Sequence, residues 1–211
     1  MARSRSRWKR VLACVALVGL AYGAFVVVGL PARAEVRALV RKNPGKTALM
    51  LQREREAKAR RRPVRRAQTF VPISRISRWL IQAVIASEDQ KFFGHQGVDW
   101  NALQESVERN IEKRRFARGG STITQQLAKN LYFGTSKSPT RKLRELVVTG
   151  WIEDDLTKRR ILELYLNVIE WGDGVYGADA AARRYYGKAA SDGSSAAADL
   201  PAQARAAASA P

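Results

Sequence analysis

The prediction of the fold starts from the sequence IASEDQKFFGHQGVDW, at Ile85–Trp100. Apolar residues recur at helical spacing just before it, from Ile76 to Val84, so Glu88 and Asp89 are predicted to end a helix. Phenylalanines follow at once, and aromatic bulk beside a carboxyl group favours its use as a proton acceptor near neutral pH. The pattern indicates a general base. A solvated helix end over a phenylalanine anchor is the alternative that this stretch alone leaves open.

The chain carries a large excess of positive charge and very little cysteine or histidine. Its 211 residues include 38 Lys and Arg against 19 Asp and Glu, a net charge of +19. This charge indicates a polyanionic partner, such as nucleic acid, an anionic membrane surface or a phosphorylated substrate. The single cysteine, Cys14, and the single histidine, His95, exclude a Cys/His zinc site and a disulfide framework. No nucleophile-elbow motif supports a Ser/His/Asp triad around His95.

The beginning of the chain predicts a membrane anchor. A basic leader, residues 1–10, precedes 20 uncharged residues from Val11 to Leu30, which are enough to cross a bilayer as one helix. A cleaved signal peptide with a processing site at Ala32–Ala34 is the alternative, and the length of the apolar run disfavours it. A lipoprotein signal is disfavoured because Cys14 lies near the start of the run. Basic residues follow the run as well as precede it, so the charge rule does not decide the orientation.

Two further segments are predicted to lie outside the folded domain. Residues 31–66 are polar and strongly basic, and Pro63 disfavours one continuous helix. They are predicted to form a stalk, which is either a solvated linker or a polybasic segment lying on anionic headgroups. Residues 189–211 contain one large apolar residue, Leu200, and are predicted to form a low-complexity tail, with a truncated end of the domain as the alternative.

The domain between these segments, residues 67–188, is predicted to be mainly α-helical. Its apolar residues recur at helical spacing, and no strand pattern is recognisable. Helix starts are predicted at Asp99, Thr140 and Thr157, and Thr122 with Gln125 has the spacing of a capping box.

Two sets of apolar side chains in this domain are predicted to be buried. The helix that starts at Thr140 is predicted to bury a stripe made of Leu143, Leu146, Val147, Gly150 and Trp151. Core-like positions are also predicted for the aromatic residues Trp79, Phe92, Phe93 and Trp151.

Two segments downstream can supply positive charge to a reaction at Glu88. Arg118–Phe133, RGGSTITQQLAKNLYF, places glycines before a helix start, where backbone N–H groups favour an anion, and it adds Lys129. Arg141–Glu145, RKLRE, adds a cation pair and a carboxylate one turn on. The plain alternatives are a solvated helix face for Lys129 and a surface ion pair for the second segment.

Three long motifs, in order and at matching separations, resemble those of the family 51 peptidoglycan glycosyltransferases. They are ASEDQKFFGHQGVDW, GGSTITQQLAKNLYF and RKLRELVVTGWIEDDLTKRRILELYLNVIEWGDGVYGADAAARRYYGK, and the resemblance runs from about Val71 to Lys188. It implies a mainly α, lysozyme-like glycosyltransferase domain with a smaller membrane-embedded subdomain, on the outer, periplasmic side of the bacterial cytoplasmic (inner) membrane. The chain is most like the monofunctional members, which carry one N-terminal transmembrane helix and no transpeptidase domain.

The resemblance also implies a reaction and the residues that perform it. Lipid II would be polymerised into β-1,4 glycan strands, with inversion and release of the lipid pyrophosphate. Glu88 would be the general base, while Glu145 would assist at the leaving group by orienting Arg141 or by holding a divalent cation, Mg or Mn. No organic cofactor is implied, and His95 would be structural. The implied substrate-binding residues are Asp89, Phe92, Gly119, Ser121, Thr122, Gln125, Gln126, Lys129, Asn130, Arg141 and Lys158.

The implied partners are lipid II, the growing glycan strand, the membrane, and other cell-wall synthesis and division proteins, but not nucleic acid. Two departures from the family are visible. Thr157 stands where serine is more frequent, and the chain beyond Lys188 matches the family's apolar closing helix poorly.

Two competing functions remain. A membrane-anchored lysozyme-like hydrolase or lytic enzyme would use a glutamate as an acid, without cations beside it. A basic, membrane-tethered module without catalysis would need base-stacking aromatic residues among its cations.

Overall fold

A computed structural model describes residues 2–113 and 120–191 of the chain, with side chains over residues 8–106 and 120–191. Most of the described residues are helical, which confirms the predicted fold class. The α-helices are α1 (Ala2–Val28), α2 (Arg33–Ala38), α3 (Ala48–Ala59), α4 (Arg78–Glu88), α5 (Trp100–Lys113), α6 (Ile123–Ala128), α7 (Pro139–Asp155), α8 (Lys158–Val168) and α9 (Ala178–Tyr186). The strands are β1 (Ala67–Gln68), β2 (Glu170–Gly172) and β3 (Val175–Tyr176). Short 3₁₀ turns lie at Ile73–Arg75 and Phe92–Gly94, and a π-helical turn, called the π-turn below, lies at Lys129–Phe133.

Helix α1 is long and apolar enough to cross a membrane. Its apolar window has a mean hydropathy of 2.6 and contains no buried residue. A helix of 27 residues is about 40 Å long, against about 30 Å of bilayer hydrocarbon. The helix is therefore compatible with the anchor predicted at residues 11–30. A signal sequence would form the same kind of helix, so that alternative stays open.

The end of α1 is held against the first turns of α7. Tyr22 Oη lies 3.1 Å from Thr140 Oγ1, and Arg144 Nε donates to the carbonyl oxygen of Val26 at 2.9 Å. The Arg144 guanidinium also donates to the carbonyl of Phe25 and lies 5.0 Å from the centre of its ring. A Cβ at Gly29 would lie 2.0 Å from Arg144 Cζ, so a larger residue there would displace the guanidinium from this position. The arginine thereby adds hydrogen-bond donors to two carbonyl groups in the last turn of α1.

Two parts of the segment predicted to be a stalk, residues 31–66, pack on the domain, so a solvated linker does not describe these parts. Helix α2 packs on α7 and α3 packs on the π-turn. Val36 and Met50 are completely or almost completely buried, at 0% and 1% exposure. Thr47 caps α3 by accepting from the backbone N–H of Met50, and Arg160 of α8 donates to the carbonyl of Leu39 at the end of α2. A few apolar anchors in a charged segment are enough to fold it against a partner surface.

A small three-stranded sheet, which the sequence did not predict, closes one side of the domain. β3 lies in the middle, parallel to β1 and antiparallel to β2. Asn167 fixes the chain after β1, because its side chain accepts from the backbone N–H of Val71 and donates to the carbonyl of the same residue. Strands of two or three residues are too short to produce a recognisable alternation of apolar and polar residues.

The core forms around α8, whose residues from Ile161 to Val168 are mostly buried between α6, α7 and α9. The stripe predicted for α7 is wrong. The buried positions of α7 include Glu145, Val148, Thr149 and Ile152, whereas Leu143 and Val147, which belong to the predicted stripe, are exposed by 44% and 38%. Two buried positions of α7 are thus polar, so the apolar residues of this helix do not mark its buried face.

The aromatic side chains divide between core and surface. Phe92 is fully buried, but Trp79 and Phe93 are exposed by 49% and 64%, so the core positions predicted for these two are wrong. Trp151 is partly buried and packs against the core.

The predicted helix caps are confirmed with one exception. Thr122 and Gln125 form the complete capping box, and Thr157 caps α8. Asp99 accepts from the backbone N–H of Ala102 at the start of α5. Helix α7, however, is capped by Ser138 and has a proline at its first turn, so Thr140 lies inside the helix.

The first residues of the predicted tail belong to the fold. Ala190 is buried, its N–H donates to Asp179 Oδ1 at 3.0 Å, and its carbonyl accepts from the N–H of Ser77 at 2.9 Å. The rest of the predicted tail, residues 192–211, lies outside the described residues.

Candidate active site

Glu88 is the last residue of α4, as the sequence predicted, and it is half-buried. Gln126 Nε2 donates to Glu88 Oε2 at 3.1 Å, which brings the first motif against α6. The carboxylate is thus held at a helix end that is partly accessible. A general base needs such access to reach an incoming hydroxyl group.

Asp89, the neighbouring carboxylate, is turned into the protein. It accepts from the backbone N–H of Ile123 at 3.0 Å and from His95 Nε2 at 2.9 Å, and it is 8% exposed. The side chain therefore ties the end of α4 to the start of α6, and His95 braces it. This geometry supports the structural role expected for His95 and gives Asp89 a positioning role; direct contact of Asp89 with substrate stays a prediction.

Glu145 lies on α7 at the centre of a second charged cluster. It is 2% exposed, Lys142 Nζ lies 2.6 Å from its Oε1, and Arg141 Nη1 pairs with its Oε2. Arg141 also donates to the carbonyl of Ser136. The alternative of an ordinary surface ion pair is therefore wrong, since the carboxylate is buried and both of its oxygens are bound by cations.

Lys129 links the two carboxylates electrostatically. It begins the π-turn and is half-buried. Burial lowers the pKa of its ammonium group; Glu145 and Glu88 oppose this, while Arg141 and Lys142 lower the pKa further. A solvated helix face is therefore excluded for Lys129. π-Helical turns are frequent at functional sites. The π-turn ends at Gly134, whose φ of 69° favours glycine.

At the start of α6, three backbone N–H groups of the predicted anion site are used within the protein, and binding of an anion there stays a prediction. Ile123 N–H donates to Asp89, and the N–H groups of Thr122 and Gln125 are used by the capping box. α6 has six residues and continues directly into the π-turn. Side chains supply further positive charge to the site.

The other predicted substrate-binding residues do not all lie at the charged cluster around Glu145. Ser121 is exposed, and its Oγ lies 3.5 Å from Lys142 Nζ, so it borders the cluster. Asn130 is 5% exposed, on the π-turn. Gly119 lies outside the described residues.

Phe92 and Lys158 form a separate group. Phe92 is fully buried, and Lys158 Nζ lies 4.6 Å from its ring centre and 2.8 Å from Glu153 Oε1. Lys158 is thus held by Phe92 and Glu153, and its binding of substrate stays a prediction.

Two residues of this site were not predicted from the sequence. Lys142 stands three residues before Glu145, which is a helical pairing distance, so the spacing could have indicated it. Tyr165 donates to Gln126 Oε1 at 3.1 Å, and nothing in the sequence distinguishes it from the apolar core residues around it.

The residues present do not fit a divalent cation at Glu145. Both oxygens of this carboxylate are bound by cationic side chains, and Lys129 adds a third positive group nearby. Divalent cations require several oxygen ligands. Among the described residues, no group of three or more His, Cys, Asp and Glu side chains is arranged to hold a metal ion.

Comparison with known proteins agrees with these motifs. A family model described as Transglycosylase matches residues 54–208. Three proteins called biosynthetic peptidoglycan transglycosylase are similar to this chain. The one from Dechloromonas aromatica (strain RCB) is 49% identical over 148 residues, which cover 70% of this chain and 64% of that protein. The one from Azoarcus sp. (strain BH72) is 50% identical over 149 residues, 71% and 64% respectively, and the one from Methylobacillus flagellatus is 55% identical over 122 residues, 58% and 53%.

The matched part of the chain spans less than two thirds of the length of these relatives. The family model nevertheless covers well over half of the chain, and the matched residues include Glu88, Lys129 and Glu145. The chain belongs to the transglycosylase family.

Proposed function

We propose that this protein is a peptidoglycan glycosyltransferase that polymerises lipid II into β-1,4 glycan strands. The observation that carries the proposal is the unequal environment of the two glutamates. Glu88 is partly accessible at a helix end, whereas Glu145 is buried among cations, and Lys129 interacts with both. The relatives named biosynthetic peptidoglycan transglycosylase support the same reaction.

The reaction follows from the charges of these side chains. Glu88 takes the proton of the acceptor 4-hydroxyl as that oxygen bonds to the anomeric carbon of the donor. The bond from this carbon to the lipid pyrophosphate breaks, and the pyrophosphate leaves with the electron pair. Attack opposite the leaving group inverts the anomeric centre, so an α-linked donor gives a β-1,4 linkage.

The cations act on the leaving group. A pyrophosphate needs positive charge rather than a proton donor, and Lys129, Arg141 and Lys142 supply it. Glu145 holds Arg141 and Lys142 in place, since each bonds one of its oxygens. A hydrolase acting on a glycosidic bond faces a poor alkoxide leaving group and would need an acid there instead.

We also propose that α1 anchors the protein in the inner membrane of a bacterium, with a single pass and the domain on the outer side. Other cell-wall synthesis and division proteins are the partners that this location would offer. The apolar helix supports membrane anchoring, and the substrate is itself a membrane lipid.

The purified full-length chain, incubated in detergent with fluorescently labelled lipid II, tests the proposal. Polymerisation gives a ladder of long glycan products that a muramidase digests. Cleavage of preformed glycan strands without growth of lipid II would support the hydrolase instead. Binding of lipid II without any product would support a non-catalytic module.

A further inference from the structure

Glu88 is connected to the core by a chain of two side chains, Gln126 and Tyr165. Tyr165 lies on α8 with 0% exposure, and its hydroxyl group is 3.1 Å from Gln126 Oε1. Gln126 Nε2 is in turn 3.1 Å from Glu88 Oε2. These two side chains connect the buried helix α8 to the carboxylate at the site.

The orientation of the Gln126 amide is decided by its neighbours. An ionised carboxylate only accepts hydrogen bonds, so the amide must turn its NH₂ group toward Glu88. The same NH₂ group reaches a second acceptor, the carbonyl of Ser121, at 3.4 Å. The amide oxygen then faces Tyr165, whose hydroxyl group must donate to it. All three contacts agree with one orientation of the amide.

Without the Tyr165 hydroxyl group, the partly buried amide oxygen would lose this donor. An acceptor without a partner in such a place is unfavourable, which favours rotation of the amide. A rotated amide would present its oxygen to the carboxylate, and the two acceptors would repel each other. The hydroxyl group of Tyr165 therefore keeps the NH₂ group directed at Glu88.

We propose that Gln126 and Tyr165 are positioning residues that hold the Glu88 carboxylate in the orientation needed for proton transfer. The role assigned to Gln126 is thereby orientation of the base, not binding of substrate, and Tyr165 acts through Gln126. This inference rests on the proposed polymerisation of lipid II. Orientation of a base affects the chemical step more than binding, so the effect belongs in kcat.

The test is a double-mutant cycle in the full-length enzyme, assayed on labelled lipid II in detergent. Tyr165→Phe should lower kcat on the order of tenfold with little change in KM, since a factor of ten corresponds to about 1.4 kcal/mol. Gln126→Leu should lower kcat at least as much. The double variant should be no worse than Gln126→Leu alone, because Tyr165 has no amide left to orient.

Tyr185→Phe is the matched control. Tyr185 also donates a hydrogen bond from a partly buried hydroxyl group, to the carbonyl of Trp171 at 3.1 Å, on α9. It should leave kcat unchanged, and thermal unfolding of both tyrosine variants measures any purely structural loss. Additive effects of Tyr165→Phe and Gln126→Leu, an unchanged kcat in Tyr165→Phe, or an equal loss in Tyr185→Phe would overturn the proposal. So would a rise in KM alone, which would return Gln126 to substrate binding.

An infrared readout separates this inference from the proposed function. The carboxylate band of Glu88, assigned in isotope-labelled protein by its loss in Glu88→Gln, should shift in Tyr165→Phe and Gln126→Leu but not in Tyr185→Phe. If the wild-type protein fails to polymerise lipid II and the band still shifts, only the function fails. If polymerisation is normal and the band does not move, the positioning role fails.

Discussion

At the scale of single residues, the two glutamates differ in what surrounds them, and their substitution should have different consequences. Glu88→Gln keeps the size of the side chain and removes the base, so kcat should fall by roughly 10²–10⁴ while lipid II still binds. Initial rates of polymerisation and a separate binding measurement with labelled lipid II check this. Near-normal polymerisation by Glu88→Gln would falsify the assignment. Asp89 is a poor substitute, because His95 and the N–H of Ile123 already use its oxygens.

Glu145→Gln should impair the leaving-group end of the reaction. The neutral amide would hold Arg141 and Lys142 less firmly, and two cations would remain close together in a partly buried place. We expect a lower kcat and a lower melting temperature, with a kinetic defect similar to that of Arg141→Ala. A variant that is as stable and as active as the wild type would contradict the role given to this ion cluster.

We expect Lys129 to give the proposed reaction a pH dependence on the alkaline side. Burial lowers the pKa of its ammonium group, so the group loses its charge at a lower pH than an ordinary lysine does. Activity that depends on this charge should fall as the pH rises through the lowered pKa.

Lys129→Arg keeps the charge and should move this alkaline limb to higher pH, even if the different shape of the guanidinium lowers the maximal rate. A profile of kcat/KM against pH measures the shift, with Lys188→Arg, at an exposed position, as the control. An alkaline limb that stays in place would show that another group causes it.

The site residues that lie in local sequence motifs could be predicted from the sequence. Glu88, Lys129, Arg141 and Glu145 lie in motifs, and the structure brings them into two interacting groups. Tyr165 could not be predicted, since its role depends on the packing of α8 against α6, and only the fold supplies that contact.

At the scale of secondary-structure elements, the packing of α2 and α3 changes the meaning of an N-terminal deletion. Removal of residues 1–28 takes away α1 alone, so activity should fall on bilayer-borne lipid II and persist in detergent. Removal of residues 1–66 also takes away the buried side chains of Val36 and Met50. Each buried side chain of this size contributes about 1.5–3 kcal/mol, so this shorter protein should melt at a clearly lower temperature and lose activity in both assays.

Thermal unfolding of the two deletion variants, followed by circular dichroism, separates these cases. Equal melting temperatures would mean that α2 and α3 are dispensable, as a solvated stalk would be.

The helices were predicted well where apolar residues recur at helical spacing, as in α4, or where a side chain caps the first turn, as in α6 and α8. Prediction failed for α7, because Glu145 and Thr149 take buried positions that would otherwise be apolar. It failed for α2 and α3, because these helices are short and mostly charged, and their few apolar anchors give no clear period. Tertiary packing, and not the local sequence pattern, determines both the burial of charge near a site and the docking of a basic segment.

At the scale of the whole molecule, Arg144 connects the end of α1 to α7 of the domain. Arg144→Leu removes the two hydrogen bonds to the end of α1 and the contact with the Phe25 ring. We expect lower activity on bilayer-borne lipid II, because the domain would no longer be held at a fixed position relative to the anchor, and little change in detergent.

Arg159→Leu, on the exposed side of α8, is the matched control and should affect neither assay. Equal losses of Arg144→Leu in bilayer and in detergent would show that the arginine stabilises the domain rather than its attachment.

The contact between Tyr22 and Thr140 has a consequence for the depth at which catalysis takes place. Tyr22 precedes Gly29 by seven residues, or about 10 Å along the helix axis, so the head of α7 reaches well below the end of α1. If α1 spans the bilayer, Thr140 lies about 10 Å inward from the outer end of that helix, and Arg141 and Lys142 follow it directly on α7.

The substrate could then keep its hydrocarbon tail among its neighbours throughout, which avoids an extraction cost of about 0.8 kcal/mol for each CH₂. Donor and acceptor would arrive by lateral diffusion, and strand growth would be a reaction confined to a plane.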